Sequence, residues 1–123
     1  MHLQHDPNTP PAEIISFQEF LKVDIRMGTI ISAQHFPEAR KPAYKLVIDF
    51  GNGIGLKKSS AQITVNYKIE DLINKKIAAV VNFSPRQVGP FLSEVLIVGF
   101  SDNRGEVVLF SADSELPNGS RLF

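Results

Sequence analysis

Residues 23–33 read VDIRMGTIISA, and apolar and polar side chains alternate along most of this segment. One face would carry Val23, Ile25, Met27, Thr29, Ile31 and Ala33, and the other Asp24, Arg26, Gly28 and Ser32. A period of two is typical of a strand with one buried side. Gly28, in the middle, permits a sharp bend or the close approach of another backbone. The segment therefore predicts a long, half-buried strand.

The sequence after this segment predicts more strands. Residues 44–50 alternate in the same way, and GNG at 51–53 supplies a hairpin turn because glycine and asparagine accept positive φ angles. A third strand, at 54–62, is unusually polar. Further strands are predicted at 77–83, 94–98 and 107–110, and proline-bounded loops at 37–42 and 85–90.

Two short helices are predicted beside these strands. Residues 16–19, SFQE, have the form of a capping box, and Phe17, Phe20 and Leu21 follow at helical spacing. A second apolar group with that spacing is Ile69, Leu72 and Ile73. The order β-β-β-α-β-β predicts an all-β dominated fold, an OB-type five-stranded Greek-key β-barrel with short flanking helices.

Length and composition limit the kinds of protein that this chain can be. With 123 residues it has room for one domain, which we place at residues 14–123, after a polar and proline-bearing tail at 1–13 that we expect to be flexible. No cysteine is present, which excludes disulfides and thiolate zinc sites. The longest apolar run, residues 77–81, is too short for membrane insertion, and residues 1–7 lack the features of a signal peptide. We therefore expect a cytoplasmic protein.

The charges balance overall but are unevenly distributed. Thirteen basic residues match thirteen acidic ones, yet residues 1–39 carry −3, residues 40–86 carry +6 and residues 87–123 carry −3. The basic central segment is either a solvated surface or a surface that faces an anionic partner. Overall neutrality argues against tight, promiscuous nucleic-acid binding.

Motifs for catalysis, nucleotides and metals are incomplete. Gly51, Gly53 and Gly55 do not form a dinucleotide fingerprint or a P-loop, because Leu56 stands where either pattern requires glycine. His2 and His5 lack a third metal ligand nearby, and His35 has no nucleophile motif around it. We therefore expect no enzymatic activity, no cofactor and no metal.

Two segments carry groups suited to binding. Residues 57–62, KKSSAQ, would place a lysine and a serine on each face of the third strand. They form either an edge strand protected by lysine or a strand that contacts phosphate or peptide. Residues 82–87, NFSPRQ, combine an aromatic ring, amides and a guanidinium group, which stack on bases or hold a peptide backbone.

Several segments in order resemble a known family. DIRMGTI at 24–30, FPEA at 36–39, LVIDFG at 46–51, NFSPR at 82–86, SEVL at 93–96 and LPNG at 116–119 resemble the tRNA-binding-domain family. That family has an OB fold and is appended to methionyl- and phenylalanyl-tRNA synthetases and found in EMAP-II-like cytokine precursors. The resemblance covers residues 17–122, nearly the whole chain outside the tail.

The third strand departs from the synthetase-type pattern. Residues 57–63, KKSSAQI, stand where the synthetase appendages have a Val-Ser-Gly-Leu-like stretch, and this segment resembles the CsaA branch of small bacterial protein-secretion chaperones. The resemblance implies a homodimer that binds unfolded polypeptides or preproteins and works with the export machinery. The alternative function is a tRNA-binding module that uses a basic surface on the third strand and the neighbouring loops.

Both hypotheses use one set of candidate residues. The residues for peptide or RNA binding are Arg40, Lys41, Tyr44, Lys57, Lys58, Ser59, Ser60, Gln62, Asn82, Phe83, Arg86 and Gln87, with Phe36 as a further apolar candidate. The candidates for a dimer interface are Phe17, Phe20, Leu21, Leu122 and Phe123, because these apolar side chains flank the barrel and would otherwise face water.

Overall fold

Strands dominate the fold, as the alternation in the sequence predicts. The computed structural model describes residues 6–123, so residues 1–5 of the expected tail lie outside the described part. The elements in chain order are α1 (Phe17–Leu21), β1 (Ile25–His35), β2 (Tyr44–Asp49), β3 (Leu56–Ala61), α2 (Ile69–Leu72), β4 (Lys76–Val80), β5 (Arg86–Val88), β6 (Phe91–Ser93), β7 (Leu96–Ile97), β8 (Gly99–Ser101) and β9 (Val107–Leu109).

Five of these strands form one antiparallel sheet that curls into a nearly closed barrel. Their order is β3-β2-β1-β4-β7, and β5–β6 and β8–β9 are separate two-stranded ribbons. Where the edge of β3 meets the segment before β7, the backbone N–H of Glu94 donates to the carbonyl oxygen of Lys58 at 2.8 Å. The predicted OB-type barrel is confirmed.

The core lies inside this barrel and is made mainly by β1, β2 and β4. Its fully buried side chains include Ile30, Leu46, Ile48, Leu72 and Ile77. A Cβ atom on Gly28 would lie 2.6 Å from Cγ2 of Ile48, so side chains of β2 occupy the space that any larger residue at this position would need.

The face of β1 that enters the barrel differs from the predicted one. Gly28 and Ile30 face the interior, whereas Ile31 is 44% exposed. The pairing of β1 with β2 shifts between Ile30 and Ser32, and this bulge returns Ala33 to the core. A β-bulge reverses which alternate residues point inward, so one uninterrupted period could not describe both halves of the strand.

The last residues cover the other side of β1. The backbone N–H of Met27 donates to the carbonyl oxygen of Ser120 at 2.9 Å, and that of Leu122 donates to the carbonyl oxygen of Ile25 at 2.9 Å. Met27 is buried beneath this C-terminal segment. The predicted apolar face of β1 is therefore buried in its first half, but outside the barrel.

Both helices lie where the sequence predicts them. The N–H of Glu19 donates to Oγ of Ser16 at 3.1 Å and the N–H of Ser16 donates to Oε1 of Glu19 at 3.0 Å, which confirms the capping box.

The loop predicted at 85–90 contains a strand, β5, which pairs with β6 through a turn in which Gly89 has a φ of 56°. Proline at 85 and at 90 lies outside the paired residues, where no ladder hydrogen bond is lost.

Within residues 6–123, no helix is both long enough and apolar enough to cross a membrane.

Candidate functional site

Two recesses on the barrel surface adjoin and form one feature, which we name the trough. The first, of about 300 Å³, lies between the end of β3 and strands β7 to β9. The second, of about 400 Å³, lies between β3, residues 83–84 and the β5–β6 ribbon. Ser60 and Leu96 line both recesses, so the two recesses adjoin at these residues.

The walls of the trough carry apolar side chains that face solvent. Phe83 is 55% exposed, Leu96 is 40% exposed and Phe100 is 64% exposed. The ring of Phe100 stacks on that of Phe110, with centroids 5.8 Å apart. Exposed apolar side chains that share one concave surface are typical of a binding site, whereas scattered ones are ordinary.

Polar groups stand among these apolar walls. Arg86 pairs with Ser93 across the β5–β6 ribbon, and both line the second recess. The backbone N–H of Ser60 donates to Oγ of Ser93 at 3.0 Å. The amide of Gln62, in the first recess, makes no hydrogen bond to any residue in the described part of the chain. The trough therefore offers donors and acceptors as well as apolar area.

Four of the candidate binding residues come together here. Ser60, Gln62, Phe83 and Arg86 all line the trough. They come from two segments more than twenty residues apart in the sequence, which the closure of the barrel brings side by side. Phe83 is more than half exposed, so its ring is available at this surface and is not part of the core.

Several other candidates are engaged in the fold itself, which corrects their assignment as ligand contacts. Ser59 is fully buried and its hydroxyl donates to the carbonyl oxygen of Val95 at 3.1 Å. Tyr44 is buried and its hydroxyl donates to the carbonyl oxygen of Tyr67 at 2.8 Å. Phe36, also expected in the groove, is buried.

Asn82 and Gln87 are exposed, but their side-chain amides already make hydrogen bonds within the fold. The side-chain amide of Asn82 donates to the carbonyl oxygen of Lys22 at 2.7 Å and accepts from the N–H of Asp24 at 3.0 Å, which fastens the end of β4 to the start of β1. The amide of Gln87 donates to the carbonyl oxygen of Gly89 at 2.7 Å. Neither side chain lines the trough.

The basic candidates do not form one cluster. Lys57 is opposite Ile48 and Lys58 is opposite Val47, so the two lysines point to opposite faces of β3. Arg40 and Lys41 lie in the exposed loop between β1 and β2 and line neither recess. Of these basic candidates, Arg86 alone lines the trough.

Lys45 was not among the candidates from the sequence, although it lies near Lys58. Lys45 is opposite Ser60 on β2, so it shares the outer face of the sheet with Lys58. The ammonium group of Lys45 lies 5.5 Å from the ring centroid of Phe36, and that of Lys58 lies 5.4 Å from that of Phe91. The two rings contact edge to face at 5.5 Å. The alternation in residues 44–50 already placed Lys45 on the outer face and could have identified it.

A separate apolar surface, which we name the terminal surface, joins the two ends of the domain. Phe17 is 62% exposed and Phe123 is 97% exposed. The guanidinium of Arg121 donates to the carbonyl oxygen of Leu21 at 2.7 Å and lies 3.3 Å from the carboxylate of Asp24. These bonds hold α1 beside the C-terminal segment.

The terminal surface includes a recess, and two exposed isoleucines that were not predicted precede α1. The recess, of about 220 Å³, is lined mostly by apolar side chains, among them Met27, Phe110 and Leu122. Ile14 is 99% exposed and Ile15 is exposed too, a pair that helical spacing could not reveal because it precedes α1. Of the expected interface residues, Phe20 and Leu122 are half-buried and Leu21 is exposed.

No arrangement of titratable groups for metal chemistry is found in residues 6–123. His2 and His5 lie outside the described residues.

Comparison with known proteins identifies the family. Residues 25–121 match the tRNA binding domain family. The chain belongs to the tRNA-binding-domain family. Methionine–tRNA ligase of Flavobacterium johnsoniae is 31% identical over 113 residues, which are 92% of this chain and 16% of the ligase. The enzyme of Christiangramia forsetii is 33% identical over 106 residues, or 86% of this chain and 15% of that protein. The chain thus spans about one sixth of these relatives.

Solved structures resemble the chain over most of its length. The chaperone CsaA of Bacillus anthracis is 50% identical with a TM-score of 0.84, covering 90% of this chain and 100% of that one. The CsaA chaperone protein of Picrophilus torridus is 52% identical with a TM-score of 0.83, covering 89% and 100%. The MetRS related protein of Pyrococcus horikoshii is 27% identical with a TM-score of 0.80, covering 91% and 100%. The expected likeness to the CsaA branch is confirmed.

Proposed function

We propose that this protein is a chaperone that binds unfolded polypeptides and preproteins in the trough, without catalysis. The observation that carries the proposal is that two adjoining recesses expose Phe83, Leu96 and Phe100 on their walls. An extended chain places alternate side chains on one side, and an apolar trough can take such side chains without selecting a sequence. The likeness to CsaA chaperones supports the same function.

The polar groups of the trough suit loose binding. The half-exposed amide of Gln62 and the hydroxyl of Ser60 can pair with main-chain groups, which every polypeptide carries. In a folded protein most main-chain groups are already hydrogen-bonded internally, so folded proteins would compete poorly for the trough. The proposed ligand is therefore an unfolded segment, and binding needs no ATP because no complete nucleotide motif is present in the sequence.

We propose further that the protein is a homodimer paired through the terminal surface. Ile14 and Phe17 are exposed apolar side chains before and in α1, Arg121 bonds the end of α1 to the C-terminal segment, and an apolar recess lies beside Leu122. A face with both features can pair with a copy of itself around a two-fold axis, each copy filling the recess of the other. Burial of these side chains removes apolar area from water in both copies at once.

The cellular setting belongs to the same proposal. The resemblance of residues 57–63 to the CsaA branch implies work with the export machinery on preproteins in the cytoplasm. A holding chaperone in that setting must release its clients, and a trough that is open to solvent permits release.

Suppression of aggregation tests this function. The protein should reduce the light scattering of a chemically unfolded client on dilution, and Phe100→Ser should suppress aggregation less because it removes an exposed wall of the trough. Val65→Ser, which removes a similarly exposed apolar side chain elsewhere, is the control. If the parent protein leaves client aggregation unchanged, the chaperone function is wrong.

A second candidate function is tRNA binding, and one observation favours it. Lys45 and Lys58 share the outer face of the sheet, where two cations can contact phosphates of a bound nucleic acid. Two lysines on a chain of zero net charge predict weak binding with a slope of about −0.7 to −0.9 per phosphate contact in log affinity against log salt. Lys45→Glu with Lys58→Glu should abolish binding of bulk tRNA at low salt if this function is correct. Polypeptide binding by the same variant should persist.

A further inference from the structure

One end of the trough contains a concentration of hydrogen-bond donors that polypeptide binding in general does not require. Arg86 and Ser93 are directly opposite across the β5–β6 ribbon, so both side chains project from one face of it. Ser60 and Ser84 line the same recess. Three hydroxyl groups and one guanidinium therefore surround a single space of about 400 Å³.

These donors are available to a ligand. The guanidinium of Arg86 has no ion pair or hydrogen bond with any residue between 6 and 123. Oγ of Ser93 accepts from the N–H of Ser60 at 3.0 Å, which leaves its own proton without an acceptor in the described part of the molecule. The side-chain hydroxyls of Ser60 and Ser84 likewise make no hydrogen bond to the described residues.

The rest of the recess is apolar and contains one opposing charge. Val88, Val95, Leu96 and the ring of Phe83 complete its walls. Glu94 also lines it, with Oε1 accepting from the backbone N–H of Lys58 at 2.9 Å. One cation and one carboxylate leave the recess without net charge, which disfavours a highly charged phosphate backbone. A single carboxylate on an apolar chain matches the guanidinium, the hydroxyls and the apolar walls together.

We propose that this recess, formed by Ser60, Phe83, Ser84, Arg86 and Ser93, binds a carboxylate of the client polypeptide. This inference rests on the proposed chaperone function and adds to it a preferred ligand chemistry. Arg86 pairs with the two carboxylate oxygens, as guanidinium groups do, and the serine hydroxyls donate to the same oxygens. The carboxylate is either an aspartate or glutamate side chain or the free C-terminus of the client.

Binding of three labelled peptides to the full protein, measured by fluorescence anisotropy, tests the proposal. All three share an alternating apolar sequence: one has an internal aspartate and an amidated end, one a free C-terminal carboxylate, and one neither. At least one carboxylate peptide should bind about tenfold more tightly than the neutral peptide, as expected for one charge-assisted pair. The peptide that gains affinity identifies the source of the carboxylate.

Three variants assign the effect to this recess. Arg86→Gln should abolish the difference between the peptides, and Arg40→Gln, which removes an exposed cation outside the trough, should preserve it. Glu94→Gln should increase the preference, because it removes a like charge beside the bound carboxylate.

The remaining outcomes contradict the proposal in distinguishable ways. If all three peptides bind equally, the carboxylate site is wrong while the chaperone function stands. Binding of none of them contradicts the chaperone function itself. If tRNA displaces a bound carboxylate peptide and Arg86→Gln weakens tRNA as much, the recess is a phosphate site and the proposal is wrong.

Discussion

The hydroxyl of Ser59 donates to the carbonyl oxygen of Val95 at 3.1 Å, inside a core where both residues are buried. This bond crosses from β3 to the segment that enters β7, where the barrel closes. The trough lies outside this junction, and its two recesses meet at the next residues, Ser60 and Leu96. The closure of the barrel and the shape of the trough thus depend on one pair of neighbouring segments.

Ser59→Ala should lower the free energy of unfolding by about 1–3 kcal/mol, because the carbonyl oxygen of Val95 would be left buried without this donor. Ser60→Ala, at the next and half-exposed position, should change it by less than about 0.5 kcal/mol. Urea unfolding of the two variants measures the difference. Equal stabilities would mean that the Ser59 bond does not hold the barrel closed.

Gly28→Ala tests the packing of the Ile48 and Phe50 side chains over Gly28. The added methyl group would lie 2.6 Å from Cγ2 of Ile48 and 2.8 Å from Cδ1 of Phe50, so we expect a loss of about 1–3 kcal/mol from overpacking. A Cβ at Gly53 meets no atom within 4 Å, so Gly53→Ala is the matched control and should be nearly neutral. A thermal melt in which both variants behave alike would contradict this packing.

The turn between β8 and β9 makes a specific prediction about pH. A hydrogen bond from the side chain of Asn66, with further bonds from the N–H groups of Glu106 and Arg104, lowers the pKa of Asp102 from 3.8 to about 2. A pKa lowered by folding means that the stabilisation is complete above the ordinary value and is lost as the pH falls from about 4 to about 2. Asp102→Asn should therefore reduce the loss of stability over that interval, as measured by urea unfolding at a series of pH values. An unchanged pH profile would contradict the role of this carboxylate.

Most of the fold followed from alternation in the sequence. The period of two located β1 and β2, each of which has one face in the core, whereas β4 followed from an apolar run that is buried on both faces. The phase of β1 was wrong because a bulge at Ile31 and a C-terminal cover over Met27 depend on tertiary contacts. The β5–β6 ribbon was missed because three-residue strands are too short to show a period.

The candidate site was predictable only in part. Ser60 and Arg86 came from segments whose composition indicates binding, and the structure places both in the trough. Leu96 and Phe100 were not among the candidates, because an apolar residue in a strand indicates core unless the tertiary structure leaves it exposed. Ser59 was a candidate because a serine on a polar strand resembles a surface residue, yet its face of β3 is the buried one.

Self-association through the terminal surface has its own test. Phe17→Asp should shift the protein from dimer to monomer in sedimentation velocity, since a charge at this exposed apolar position opposes burial against a second copy. Val65→Asp introduces the same group at a comparably exposed position away from that surface and should leave the dimer intact. A parent protein that sediments as a 13.6 kDa monomer at micromolar concentration would contradict the proposed homodimer.

The most direct test of the account is the affinity of the trough for an unfolded polypeptide, measured by anisotropy of a labelled, extended apolar peptide. Leu96→Glu places a charge where the two recesses meet and should weaken binding by about tenfold or more. Leu56→Glu, at an exposed leucine outside the trough, should bind like the parent protein. Equal affinities for the parent protein and both variants would contradict the claim that this trough is where the protein binds its clients.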